Sequence, residues 1–86
     1  MRELRWSSLK SERLKRTRGA SFEELTKGKF VTRKEHPTRP HQQLLLFDYK
    51  GQIWIVPFVE QSDAWFLKTA YPSRKYTALY QRGAIP

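Results

Sequence analysis

The sequence predicts an α+β fold: two N-terminal helices, an antiparallel meander sheet of three to four strands, and a short C-terminal helix. Three observations carry this expectation. Helix-capping residues crowd the segment up to Gly28, residues 29 to 71 run at strand density with turn signals between the runs, and Pro72-Ser73 ends the last run and caps a basic helix from Arg74. At 86 residues the chain has room for one domain spanning 1–86, because a chain this short buries only about two-thirds of its unfolded surface. Cysteine is absent, which excludes disulfides and thiolate-rich zinc sites and fits a cytoplasmic protein. The sequence shows no signal peptide and no apolar run of about twenty residues, so no membrane association is expected.

Taken in order, Arg2 to Trp6 reads as a short opening strand. Ser7 or Ser8 then caps a helix that runs to Arg18 and ends at Gly19. Lys10, Arg13, Lys15, Arg16 and Arg18 crowd this helix, and Leu9 and Leu14 give it only a thin apolar stripe. Such a charge run is either a solvated face or a contact surface for phosphate or an acidic protein. Ser21-Phe22-Glu23-Glu24 is a capping box opening a second helix, which packs Phe22 and Leu25 one turn apart and closes at Gly28. Glu24 is explained by the cap, and acids are expected in a first turn, so neither Glu23 nor Glu24 is read as a general base.

Lys29 to Glu35 reads as a strand, followed by the loop His36-Pro37-Thr38-Arg39-Pro40-His41. The two histidines and Arg39 could serve acid/base chemistry or phosphate contact, since histidine titrates nearest neutral pH, or be solvated loop residues; His36 is the candidate carried forward. With no third ligand at a suitable spacing, the two histidines do not call for a metal, and no cofactor is expected. Gln43 to Tyr49 and Gln52 to Val59 form a hairpin around Lys50-Gly51, where glycine supplies the positive φ of a tight turn. Both runs are apolar on two faces, which predicts central strands with helices on one side and loops or a partner on the other. An exposed face carrying Trp54 would suit a protein partner. Pro57 must lie where its missing amide is not needed.

After a turn at Gln61-Ser62-Asp63, Trp65 to Tyr71 is expected to pair back as one strand. Alternation sends Trp65, Leu67, Thr69 and Tyr71 to one face and Phe66, Lys68 and Ala70 to the other. Lys68 there either snorkels to an edge or lines a functional concavity. On the C-terminal helix Tyr76, Leu79 and Tyr80 form a packing face beside a basic edge of Arg74, Lys75 and Arg82, with Tyr80 nearest the polar side.

Seventeen Lys and Arg stand against eight Asp and Glu, a net charge of +9 and a pI near 10.3. That field selects partners rather than fold: nucleic-acid phosphate first, an acidic protein second, anionic lipid last. It fits an RNA- or DNA-binding protein or an interaction subunit with an acidic partner. The candidates are Arg74 and Lys75 for phosphate stabilisation, Lys68 for stabilisation or proton transfer, and His36 or Tyr80 for acid/base work or base stacking.

Trp6, Lys10, Gly19 and Ser21-Phe22-Glu23-Glu24 at one end, and Tyr71-Pro72-Ser73-Arg74-Lys75-Tyr76-Thr77 at the other, give the chain a resemblance to BrnT-type toxins of bacterial toxin–antitoxin modules. The resemblance implies a RelE-like fold, metal-independent endoribonuclease activity on RNA that inhibits translation, and a hetero-oligomer with an acidic antitoxin, often one with a ribbon-helix-helix DNA-binding domain. Such cleavage turns the ribose 2′-hydroxyl on its own phosphate, which needs a base, cations and a donor to the leaving oxygen, and Arg74, Lys75, Lys68, His36 and Tyr80 are of the residue types those roles require. The chain departs from the family pattern at Ser7, where an acid is expected, and at Arg18, where a histidine is expected. Glu35-His36 matches the family's acidic-histidine loop only loosely.

Overall fold

The computed structural model describes residues 2–85. In chain order the elements are β1 (Glu3–Arg5), α1 (Ser8–Arg18), α2 (Phe22–Thr26), β2 (Lys29–Glu35), β3 (Gln43–Tyr49), β4 (Gln52–Gln61), β5 (Ala64–Leu67), β6 (Tyr71–Ser73) and α3 (Arg74–Gln81). The strands lie in the order β1-β5-β4-β3-β2, with β6 also paired to β4. The expected antiparallel meander of three to four strands is thus corrected to a mixed six-stranded sheet. Neighbours from β2 to β6 pair antiparallel, but β1 runs parallel to β5, with Glu3 opposite Ala64 and Arg5 opposite Phe66. A parallel partner is reached only by a long crossover, and nothing local in a three-residue strand announces it.

The expected single strand from Trp65 to Tyr71 is also corrected. Within a strand a residue's N–H and C=O point to the same neighbour, and Pro57 accepts from the Lys68 N–H at 2.8 Å. Pro57 therefore lacks its donor on the β5 side, and the ladder breaks there. Pairing stops at Phe58 with Leu67 and resumes at Ile55 with Tyr71. Val56 and Pro57 are opposed by Lys68, Thr69 and Ala70, one residue too many, so the chain bulges. One extra residue exchanges the faces. Ala70 joins the buried cluster that holds Leu67, whereas Tyr71 pairs with Ile55 and is exposed, the reverse of simple alternation.

One sheet face is covered by α1 and α2. Leu14, Ala20, Phe22 and Leu25 pack on Leu45, Phe47, Trp54, Val56, Phe58 and Leu67. Ser7 caps α1, and Gly19, at φ 93°, returns its N–H to the Leu14 and Lys15 carbonyls. Leu9 is 74% exposed, so the apolar stripe of α1 reduces to Leu14. Polar contacts supply the rest: the buried Ser11 hydroxyl donates to the Glu23 carboxylate and accepts from the Phe22 N–H at 2.9 Å.

The other face is covered by α3, correcting the expectation of loops or a partner. Tyr76 and Tyr80, with Val31 and Ile85, pack over Leu44, Leu46, Ile53 and Ile55. Trp54 belongs to the face covered by α1 and α2 and is buried, not displayed. Ser73 caps α3 as expected. The Thr77 hydroxyl donates to the Ser73 carbonyl and accepts from the Ile53 N–H at 2.8 Å, tying the helix to β4.

Two turns explain their residues. Lys50 and Gly51 both have positive φ, 54° and 84°, the geometry of a two-residue hairpin whose twist matches its strands. Gly28 does not end α2 by left-handed geometry; a side chain there would meet the Asp48 carbonyl oxygen at 2.7 Å, so glycine is required for close approach to β3.

Candidate active-site cleft

Where β4 carries Pro57, the loop 36–42 and the bulge 68–70 face each other across a cleft of about 360 Å³. Its lining is His36, Thr38, Arg39, Gln42, Pro57, Lys68, Thr69 and Tyr71. Two residues singled out from sequence, His36 and Lys68, are thereby brought together. The others are not in this lining. Arg74 and Lys75 are exposed at the start of α3, one short strand beyond Tyr71, and Tyr80 is half-buried against the Leu44–Ile55 cluster.

The loop is organised by its own hydrogen bonds. The His36 N–H donates to the Gln42 carbonyl at 3.3 Å, and the Gln42 N–H to the Arg39 carbonyl at 3.1 Å. The imidazole Nδ1 accepts from the Thr38 N–H at 3.1 Å and from the Arg39 N–H at 3.0 Å. The second loop histidine goes elsewhere: His41 opens on a separate hollow with Gln43, Phe58 and Glu60.

Lys68 is exposed, with Nζ 5.8 Å from the Phe66 ring centroid. The dry sheet face that proton transfer by this lysine would need is absent; what remains is an accessible cation. Its segment is held from α1, because Arg18 donates from Nη1 to the Ala70 carbonyl at 2.5 Å. Arg18 thus has a definite task at one of the positions where the chain departs from the BrnT pattern, and Ser7, at the other, caps α1. Of the remaining lining residues, Arg39 is a sequence candidate only together with the two loop histidines, and Tyr71 and Gln42 were missed. The arginine was visible in the loop, but the exposure of Tyr71 depends on the bulge and could not be read from alternation.

The acids near α2 are committed to structure. Glu24 accepts from the Ser21 N–H at 3.0 Å, from Lys15 Nζ at 2.9 Å and from the Tyr49 hydroxyl at 3.3 Å. The Ser21 amide first, then Lys15, lower its carboxyl from 4.5 to about 2. The Ser11 hydroxyl is the main cause holding Glu23 low. A depressed carboxyl stabilises the fold fully above its unfolded value and loses that contribution as pH falls through the folded one. We therefore expect the melting temperature to fall between pH about 4.5 and about 2, and Glu24→Gln to flatten that part of the curve. Parallel curves for the two proteins would contradict the role of Glu24.

Three ion pairs form among the described residues: Arg2–Asp63, Arg5–Glu3 and Lys15–Glu24. Most of the seventeen cations are left to act outward. No helix among the described residues is long and apolar enough to cross a membrane.

No protein-family model and no curated protein matches the chain. A solved structure does match: the 1.1 Å crystal structure of the Brucella abortus ribonuclease toxin BrnT, with a TM-score of 0.65 at 19% sequence identity. The match covers 85% of this chain and 97% of that one, so it includes nearly the whole of the toxin and not a shared fragment. At this identity what is common is architecture, and the chain has the fold of a BrnT-type toxin.

Proposed function

We propose that this chain is the toxin of a bacterial toxin–antitoxin module, an endoribonuclease that cleaves RNA without a metal, inhibits translation in the cytoplasm and is neutralised by an acidic antitoxin. The observation that carries the reading is the cleft: cations from the loop and from the bulge oppose each other on a fold shared with a ribonuclease toxin. In the proposed reaction the ribose O2′ attacks the adjacent phosphorus, the bond to O5′ breaks, and a 2′,3′-cyclic phosphate and a free 5′-hydroxyl result. The proton leaves O2′ and one is delivered to O5′. Lys68 and Arg39 meet the charge that builds on the phosphoryl oxygens, the largest contribution such a site makes. Arg74 and Lys75, beyond the cleft, attract and align the flanking strand. Tyr80 serves the packing of α3.

Production of the chain in a bacterial host tests this reading. We expect growth to stop on induction and to resume when the gene encoded beside it is co-expressed. Growth unaffected by induction would contradict a toxin and leave a passive binding module.

A further inference from the structure

The ring of His36 is in the wrong condition for a base. A neutral imidazole has one N–H and one lone pair, and the Nδ1 lone pair already accepts two amides, from Thr38 at 3.1 Å and Arg39 at 3.0 Å. The hydrogen must then be on Nε2, and no free lone pair remains to take a proton. Accepting from amides two and three residues ahead is what Asn, Asp or Ser does at a turn or helix start. Pro37, between them, has no N–H to leave unpaired and a φ already suited to such a turn. From the other side the Arg39 carbonyl accepts from Gln42 at 3.1 Å. The backbone of Arg39 is therefore gripped at both its N–H and its C=O. Its side chain lines the cleft beside Lys68 and Tyr71, with no carboxylate in ion-pair reach among the described residues.

We propose that His36 is a positioning residue whose Nδ1 builds the turn that presents Arg39, and that Arg39 is the loop cation contacting the RNA phosphate opposite Lys68. This rests on the ribonuclease reading for its substrate but not for its geometry, so the two are separable by experiment.

Asn carries its Oδ1 where histidine carries Nδ1; it can accept the same amides but cannot carry protons. We expect H36N to keep RNA cleavage within about threefold of wild type and H36A to lose about tenfold or more through misplacement of Arg39. R39A should lose about ten- to a thousandfold. An H36N protein that is folded yet as inactive as H36A would overturn the positioning role in favour of proton transfer. Two readouts need no catalysis. Long-range nitrogen-15 spectra above pH about 7.5, where a free imidazole is neutral, should show His36 protonated at Nε2 and bare at Nδ1; the opposite tautomer overturns the proposal. A 2′-O-methyl RNA oligonucleotide, which cannot be cleaved, should bind R39A about tenfold more weakly than wild type, and equal binding removes Arg39 from the interface. If the wild type cleaves no RNA while these two results hold, it is the ribonuclease reading that fails.

Discussion

Lys68→Ala is expected to lower RNA cleavage by about one to three orders of magnitude and to leave the melting temperature unchanged, the pattern of a lost transition-state contact. The side chain is exposed and enters none of the ion pairs among the described residues, so its removal takes little from the fold. The structural part of this position is its backbone N–H, which holds Pro57 at 2.8 Å and is kept in the alanine variant. Arg74→Ala should fall at the lower end of the same range, about tenfold, because Arg74 lies outside the lining of the cleft and would act at longer reach. Cleavage rates of the purified variants, with their melting curves alongside, check both. Undiminished toxicity in both variants would remove these cations from the mechanism.

Phe22→Ala is expected to cost about 3–5 kcal/mol of stability, as loss of a fully buried phenyl ring does. Its side chain is 0% exposed, it meets the Trp6 ring at 5.8 Å between centroids, and its N–H holds the buried Ser11 hydroxyl at 2.9 Å. Removing the ring loosens the joint between α1, α2 and the sheet, and with it Arg18, which holds the bulge at Ala70. Chains of this size are stable by on the order of 4–13 kcal/mol, so the variant should lie near the edge of folding at growth temperature. Denaturant titration should show a lower midpoint with an unchanged slope. A loss below about 1 kcal/mol would contradict the full burial of the Phe22 ring in the core.

What could be read before the fold was known follows the range of the interaction. The capping box at Ser21–Glu24, the Ser73 cap, the left-handed Gly19 and the Lys50-Gly51 hairpin are each decided within about four residues, and all are observed. The parallel pairing of β1 with β5 is a long-range event, and no local pattern encodes it. The bulge at 68–70 arises because Pro57, on another strand, withholds a donor. Periodicity within Trp65–Tyr71 could not detect this, so it assigned Ala70 and Tyr71 to the wrong faces. The candidate site was legible in the same measure. Lys68 and His36 were identifiable by chemical type, but their meeting in one cleft depends on register, and the engagement of His36 Nδ1 by two amides depends on loop geometry.

If the cleft cleaves RNA by itself, the purified chain needs neither a metal nor a second protein to do so. The most direct test is incubation of the purified chain with RNA, with and without a strong chelator, followed by analysis of the product ends. Fragments ending in 2′,3′-cyclic phosphate and 5′-hydroxyl are expected, formed at the same rate in chelator. Salt-sensitive binding with no product would reduce the chain to a non-catalytic RNA binder, and cleavage abolished by the chelator would contradict the proposed chemistry.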